Sequence, residues 1–267
     1  MPTIQINGTT LKYEIAGGGD RVFLLFNEGH SGGLWAWGEF REGLGALGRV
    51  VAFEWRAGDE LLQTDTVTLE TYAGDARALL DYLGVARAVL VGLAHGGRVA
   101  QVFARDYPSR SMALVILGTG GHFPPLAGAT TREFWTNPVL DRETWERAYL
   151  ADMFSPAFAW KQPEQARRAL DNGWAHRTPR NAATWKLLLD AANHSPSHTY
   201  WGTARCPTLL LYGEDDKYGH PQHGRDLQNR LPDARLVVLD GVGHLLTLEA
   251  PNRVLSEITT FVGSLRS

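Results

Sequence analysis

A single cysteine, Cys206, stands in the 267 residues, so an intramolecular disulfide is excluded. It precedes Pro207 and an apolar run and reads as a small core residue, which fits a reducing, cytoplasmic location. No apolar run approaches ~18 residues, so no membrane span is expected. The N-terminus, MPTIQINGTTLKYEIAG, lacks a basic start followed by an apolar stretch, and no signal peptide is expected. Charge is modest as well. Charged residues make up 21% and the formal net charge is -3, which excludes a basic nucleic-acid surface or a polybasic membrane patch. No G-x-G-x-x-G opens a helix and no Walker sequence occurs, so Gly118-Thr119-Gly120-Gly121 is not a nucleotide loop. His220 and His223 form an H-P-Q-H loop, and His194 and His198 lie four apart; neither pair has an evident third ligand, and both read as solvated histidines. No metal or organic cofactor is expected. Nothing in the sequence fixes the oligomeric state.

What is present is ample apolar material, 44% of the chain. That supports one large core carrying an insertion. The first residues alternate, with Ile4 and Ile6 before Asn7-Gly8 and Leu11, Tyr13 and Ile15 after it. Asn-Gly between alternating runs predicts a hairpin. Short continuous apolar runs follow at Val22–Phe26, Val50–Phe53, Ala88–Val91, Ala113–Leu117, Thr208–Tyr212 and Leu236–Leu239. Such runs suit strands covered on both faces. Helical spacing appears over Thr71–Leu83, Arg98–Tyr107 and Arg253–Leu265. Strand and helix alternate, which predicts an α/β fold: a mostly parallel sheet with helices on both faces. Residues 121–203 break the alternation. They are helical only, and read as an insertion between two strands, with 1–120 and 204–267 forming the core.

Between a strand and a helix stands Gly92-Leu93-Ala94-His95-Gly96. Later, Gly213-Glu214-Asp215-Asp216 follows one strand and Asp240-Gly241-Val242-Gly243-His244 follows the last. In that order these segments resemble the α/β-hydrolase fold family, over nearly the whole chain. The resemblance implies a nucleophile elbow, G-x-S-x-G, centred on Ala94. It implies His244 as base and Asp216 as the acid that orients it, with Asp215 as the fallback. The oxyanion hole would come from the backbone of His95 and of the loop Asn27, Glu28, Gly29 and His30, where the family commonly has His-Gly. Glu28 departs from that pattern, and a carboxylate there opposes a developing anion. Trp55-Arg56 follows the next strand, and Arg56 reads as structural. The His95 side chain reads as structural too, with a lesser possibility of touching substrate.

Alanine cannot attack a carbonyl, and three explanations compete for Ala94. It replaces a parental serine by design, leaving a hydrolase that binds without turning over. Alternatively, His244 and Asp216 act as a base without a serine. Ala94-His95-Gly96-Gly97 is similar to the S-H-G-G of cofactor-independent dioxygenases of hydroxy-oxoquinolines. Those enzymes carry their acid after an earlier strand, where this chain has Gly118-Thr119-Gly120. The last possibility is a ligand-binding protein on a hydrolase scaffold. The first leads.

Residues 121–203 hold Trp135, Trp145, Trp160, Trp174, Trp185 and Trp201, with Phe123, Phe134, Phe154 and Phe158. Most should pack a helical cap together. Phe123 and Trp160, near loops, and Trp35 and Trp37, near the presumed oxyanion loop, are the candidate pocket residues. The expected partner is an apolar, ring-containing small molecule, and the expected reaction is hydrolysis of an ester, lactone or related carbonyl bond.

Overall fold

The computed structural model describes residues 1–29, 34–56, 67–121 and 140–265. Asn7 and Gly8 both take positive φ, 47° and 73°, as a type I′ turn requires. Strand β1 (Thr3–Ile6) therefore folds back on β2 (Thr9–Ala16), with Ile6 opposite Thr9. The other strands are β3 (Val22–Phe26), β4 (Arg49–Phe53), β5 (Ala88–Leu93), β6 (Ser111–Leu117), β7 (Thr208–Gly213) and β8 (Ala234–Leu239). They form one eight-stranded sheet in the order β1-β2-β4-β3-β5-β6-β7-β8. From β4 to β8 every pairing is parallel, while β1 and β2 run against their neighbours. β3, β5 and β7 are buried along their whole length, as their unbroken apolar runs predict.

The helices are α1 (Phe40–Gly45), α2 (Leu69–Tyr82), α3 (His95–Asp106), α4 (Arg142–Met153), α5 (Phe158–Lys161), α6 (Pro163–Ala175), α7 (Pro179–His194), α8 (Pro221–Arg230), α9 (Leu246–Glu249) and α10 (Pro251–Ser264). Right-handed crossovers decide which face each covers. The step β3–α1–β4 moves one way along the sheet; β4–α2–β5, β5–α3–β6 and β7–α8–β8 move the other. So α1 lies on one face, with α10 packed against it, and α2, α3 and α8 on the other. The described residues between β6 and β7 carry α4 to α7 and no strand.

One reading of the sequence needs correction. His220 is exposed as expected, but it and His223 belong to a helix rather than a loop. His220 caps α8, its Nδ1 accepting from the Gln222 amide 3.2 Å away, and His223 sits in the helix, half-buried beside Trp201. The helix escaped notice because it buries only Pro221, Gly224 and Leu227. Helix α1 escaped for its brevity and two glycines. No helix among the described residues is long and apolar enough to cross a membrane.

Candidate active site

The parallel strands end on one edge of the sheet, and the loops that follow them carry the candidate residues. At the centre, β5 runs through Ala94 into α3. Ala94 has φ 50° and ψ -114°, a backbone that residues with a side chain rarely take. Its amide donates to Leu117 O at 2.8 Å, fixing the turn to β6. The flanking glycines are required by close approach. A Cβ at Gly92 would stand 2.5 Å from Gly97 Cα, one at Gly96 would strike the carbonyls of Phe26 and Asn27, and one at Gly97 would strike Thr119. The His95 amide opens α3, where backbone N–H groups have no partner within the helix.

Beyond β3 lie Asn27, Glu28 and Gly29; His30 falls outside the described residues. The Asn27 side chain is anchored in the core: it donates to Phe53 O and accepts from Trp37 Nε1, both at 2.5 Å. Trp37 is thereby a core residue rather than a pocket wall. Glu28 is 5% exposed, and its carbonyl accepts from Trp55 Nε1 at 3.4 Å. Arg56 forms a buried two-point pair with Asp75 at 2.6 and 2.7 Å, a structural tie between β4 and α2. A Cβ at Gly29 would overlap the Trp185 ring of α7 and stand 3.2 Å from His95 Cβ. Trp185 thus reaches from the helical segment down to the loop after β3.

After β7, Glu214 is exposed and Asp215 half-buried, whereas Asp216 is buried. Asp216 Oδ1 accepts from the amides of Tyr218 at 2.8 Å and Gly219 at 2.7 Å. Both of its oxygens lie 2.9 Å from His244 Nδ1. Gly118, at φ 54°, makes room for this carboxylate: a Cβ there would sit 2.8 Å from Asp216 Oδ2. Burial disfavours a charged His244, but Asp216's charge and hydrogen bond, with the charge of Glu28 added, outweigh it and raise the imidazole pKa above its ordinary 6.5. His95 goes the other way. Burial, then the charge of Arg98, holds it well below that value, so it stays neutral.

The loop bearing His244 is pinned to the helical segment. The amides of His244 and Leu245 donate to Met153 O at 2.9 and 3.0 Å. The buried Glu249 carboxylate accepts from the Gly243 and Ser155 amides, each at 3.0 Å, and from the Ser155 hydroxyl. Nothing in the sequence marks Glu249 for this task, because only the fold brings Ser155 to it.

The candidate pocket residues divide. Phe123 lies outside the described residues. Trp35 is half-buried, stacked on His176 with centroids 6.0 Å apart and tilted on Tyr149 at 6.4 Å. Trp160 is a correction: it is 88% exposed, because the single turn of α5 buries Phe158 against Phe154 and leaves the indole outside. Trp145, Tyr149 and Trp174 pack on one another inside the helical segment, as expected of most aromatics there. Trp185 went unselected, since nothing in the sequence separates it from its five neighbouring tryptophans. Among the described residues no group of three potential ligands could hold a metal.

Comparison with known proteins agrees with this arrangement. The chain is 28% identical over 251 residues to a 2-hydroxy-6-oxononadienedioate/2-hydroxy-6-oxononatrienedioate hydrolase of Comamonas testosteroni, covering 86% of this chain and 82% of that one. It is 29% identical over 253 residues to a 2-hydroxy-6-oxo-6-phenylhexa-2,4-dienoate hydrolase of the same organism, covering 88% and 84%. The crystal structure of an enol-lactonase from Burkholderia xenovorans superposes with a TM-score of 0.84 at 21% identity, covering 98% of this chain and 100% of that one, a likeness of fold. A family model described as alpha/beta hydrolase fold matches residues 24–251. With that match running from β3 through the elbow to the start of α10, the chain belongs to the α/β-hydrolase fold family, in which the two Comamonas relatives are named as hydrolases.

Proposed function

We propose that this protein is the scaffold of a hydrolase for an ester, lactone or related carbonyl bond in an apolar, ring-containing small molecule, with Ala94 at the place of the nucleophile. One observation carries the reading. A strained elbow at Ala94 shares the carboxyl edge of the sheet with His244, itself held on Nδ1 by both oxygens of Asp216 at 2.9 Å. Residues 121–203 serve as the cap, and a cytoplasmic location goes with the reading.

The mechanism follows from these groups. With serine at this position, the hydroxyl oxygen attacks the carbonyl carbon while its proton passes to His244 Nε2. Asp216 accepts from Nδ1–H, fixes the tautomer and stabilises the imidazolium. The His95 amide and the backbone of Asn27, Glu28, Gly29 and His30 receive the oxyanion. Collapse expels the alcohol with the proton from His244. Water, deprotonated by the same imidazole, then releases the acid. The chain as it stands has no nucleophile at residue 94 and binds without forming an acyl-enzyme.

A second reading keeps alanine as the working residue. His244 is then a base on water or on an acidic C–H or O–H of the substrate, as the dyad with Asp216 is complete without residue 94. Ala94→Ser separates the two on a panel of apolar aryl esters and lactones. Turnover appearing only in the variant supports the serine-hydrolase reading. Turnover already present with alanine, and abolished by His244→Ala, supports the second.

A further inference from the structure

His95 is 5% exposed, and among the described residues neither of its ring nitrogens has a hydrogen-bond partner. The Trp185 ring meets it edge to face with centroids 6.2 Å apart, Gly29 lies against its Cβ, and the charge of Arg98 acts on it. A buried donor or acceptor left unmade costs about 1–3 kcal/mol. A chain that only needed to fill this space would favour phenylalanine or leucine. The imidazole follows Ala94 directly in the chain and lies between Gly29, after β3, and Trp185 of helix α7.

We propose that the His95 side chain is a substrate-binding group whose imidazole hydrogen-bonds a hydroxyl carried by an otherwise apolar, uncharged ligand. The proposal rests on the site assignment above but not on the presence of a serine. Being neutral, the ring keeps one donor nitrogen and one acceptor nitrogen, so it suits an uncharged polar group better than a carboxylate. The Comamonas relatives are named for dienoate and dienedioate compounds, which carry carboxylates. The inferred ligand differs from them in lacking that charge.

Coumarin and its monohydroxylated isomers are matched probes, being ring lactones that differ by one hydroxyl. Their dissociation constants are measured by tryptophan fluorescence on the chain as it stands and on His95→Phe and His95→Gln. One isomer should bind about tenfold more tightly than coumarin, the worth of one buried hydrogen bond. That preference should vanish in His95→Phe and return in part in His95→Gln, with coumarin itself little changed. The ring ¹⁵N resonances of His95 should shift with the preferred isomer and not with coumarin, a readout that stands even if His95→Phe does not fold. Absence of any preferred isomer, or a preference that survives in His95→Phe, overturns the proposal. Failure of Ala94→Ser to gain turnover would instead count against the hydrolase reading, so the two can fail separately.

Discussion

At residue 94 the fold holds alanine in a conformation suited to a nucleophile. Positive φ with ψ near -114° costs an alanine about 1–3 kcal/mol, and glycine is free of that strain. Ala94→Gly should therefore raise unfolding stability by about 1 kcal/mol, the relief less glycine's greater chain entropy, as read by urea denaturation. No gain would mean that the elbow is not strained. His244 makes the second prediction at this scale. It acts as a base only when neutral, and its pKa is raised, so turnover by the Ala94→Ser protein should climb with pH through a midpoint above 6.5. Removing the carboxylate charge with Asp216→Asn leaves burial opposed only by the smaller effect of Glu28. The midpoint should move to lower pH, and turnover should fall by about a thousandfold or more as the tautomer is lost. An unmoved midpoint would disconnect Asp216 from the imidazole. Much of this site was legible in the sequence. The order of elbow, acid and histidine, and the spacing that prefers Asp216 to Asp215, are one-dimensional facts. The unpartnered state of His95 is not, because it depends on Trp185 and Gly29 arriving from elements far apart in the chain.

At the scale of elements, the loop with His244 is held by Glu249 at the end of α9. Its carboxylate serves three donors from two segments, Gly243 and Ser155. Glu249→Ala leaves these buried and unpaired and should destabilise the protein by about 3 kcal/mol; Glu249→Gln, which keeps an acceptor, should cost less. Thermal unfolding of both variants checks this, and equal losses would contradict it. Element boundaries were read unevenly for physical reasons. Asn7-Gly8 fixes a hairpin by itself. Thr68 caps α2, its hydroxyl accepting from the Thr71 amide, so the helix starts before its apolar stripe. Helix α3 begins at His95, three residues before its periodicity shows, because the elbow rather than the pattern sets its start. Helix α8 is polar nearly all round and gave no stripe to read.

Across the whole molecule, the loop after β3 meets the helical segment where Gly29 lies against Trp185. Gly29→Ala forces the indole or the loop to move, with an overpacking cost of about 1–3 kcal/mol. In the Ala94→Ser background it should reduce turnover as well, while Trp160→Ala, at an exposed ring, should change neither stability nor rate. The cap is where sequence reading ran out. Helical spacing announces that most of the six tryptophans pack; which of the described ones faces inward is decided by how α4 to α7 settle over the sheet. In the proposed reading the acyl-transfer site around Ala94 lacks only a hydroxyl. Fluorophosphonate labelling of the chain, of Ala94→Ser and of Ala94→Ser with His244→Ala measures this. Rapid labelling of Ala94→Ser alone is expected. Labelling of the serine protein that is no faster than that of the other two would contradict it.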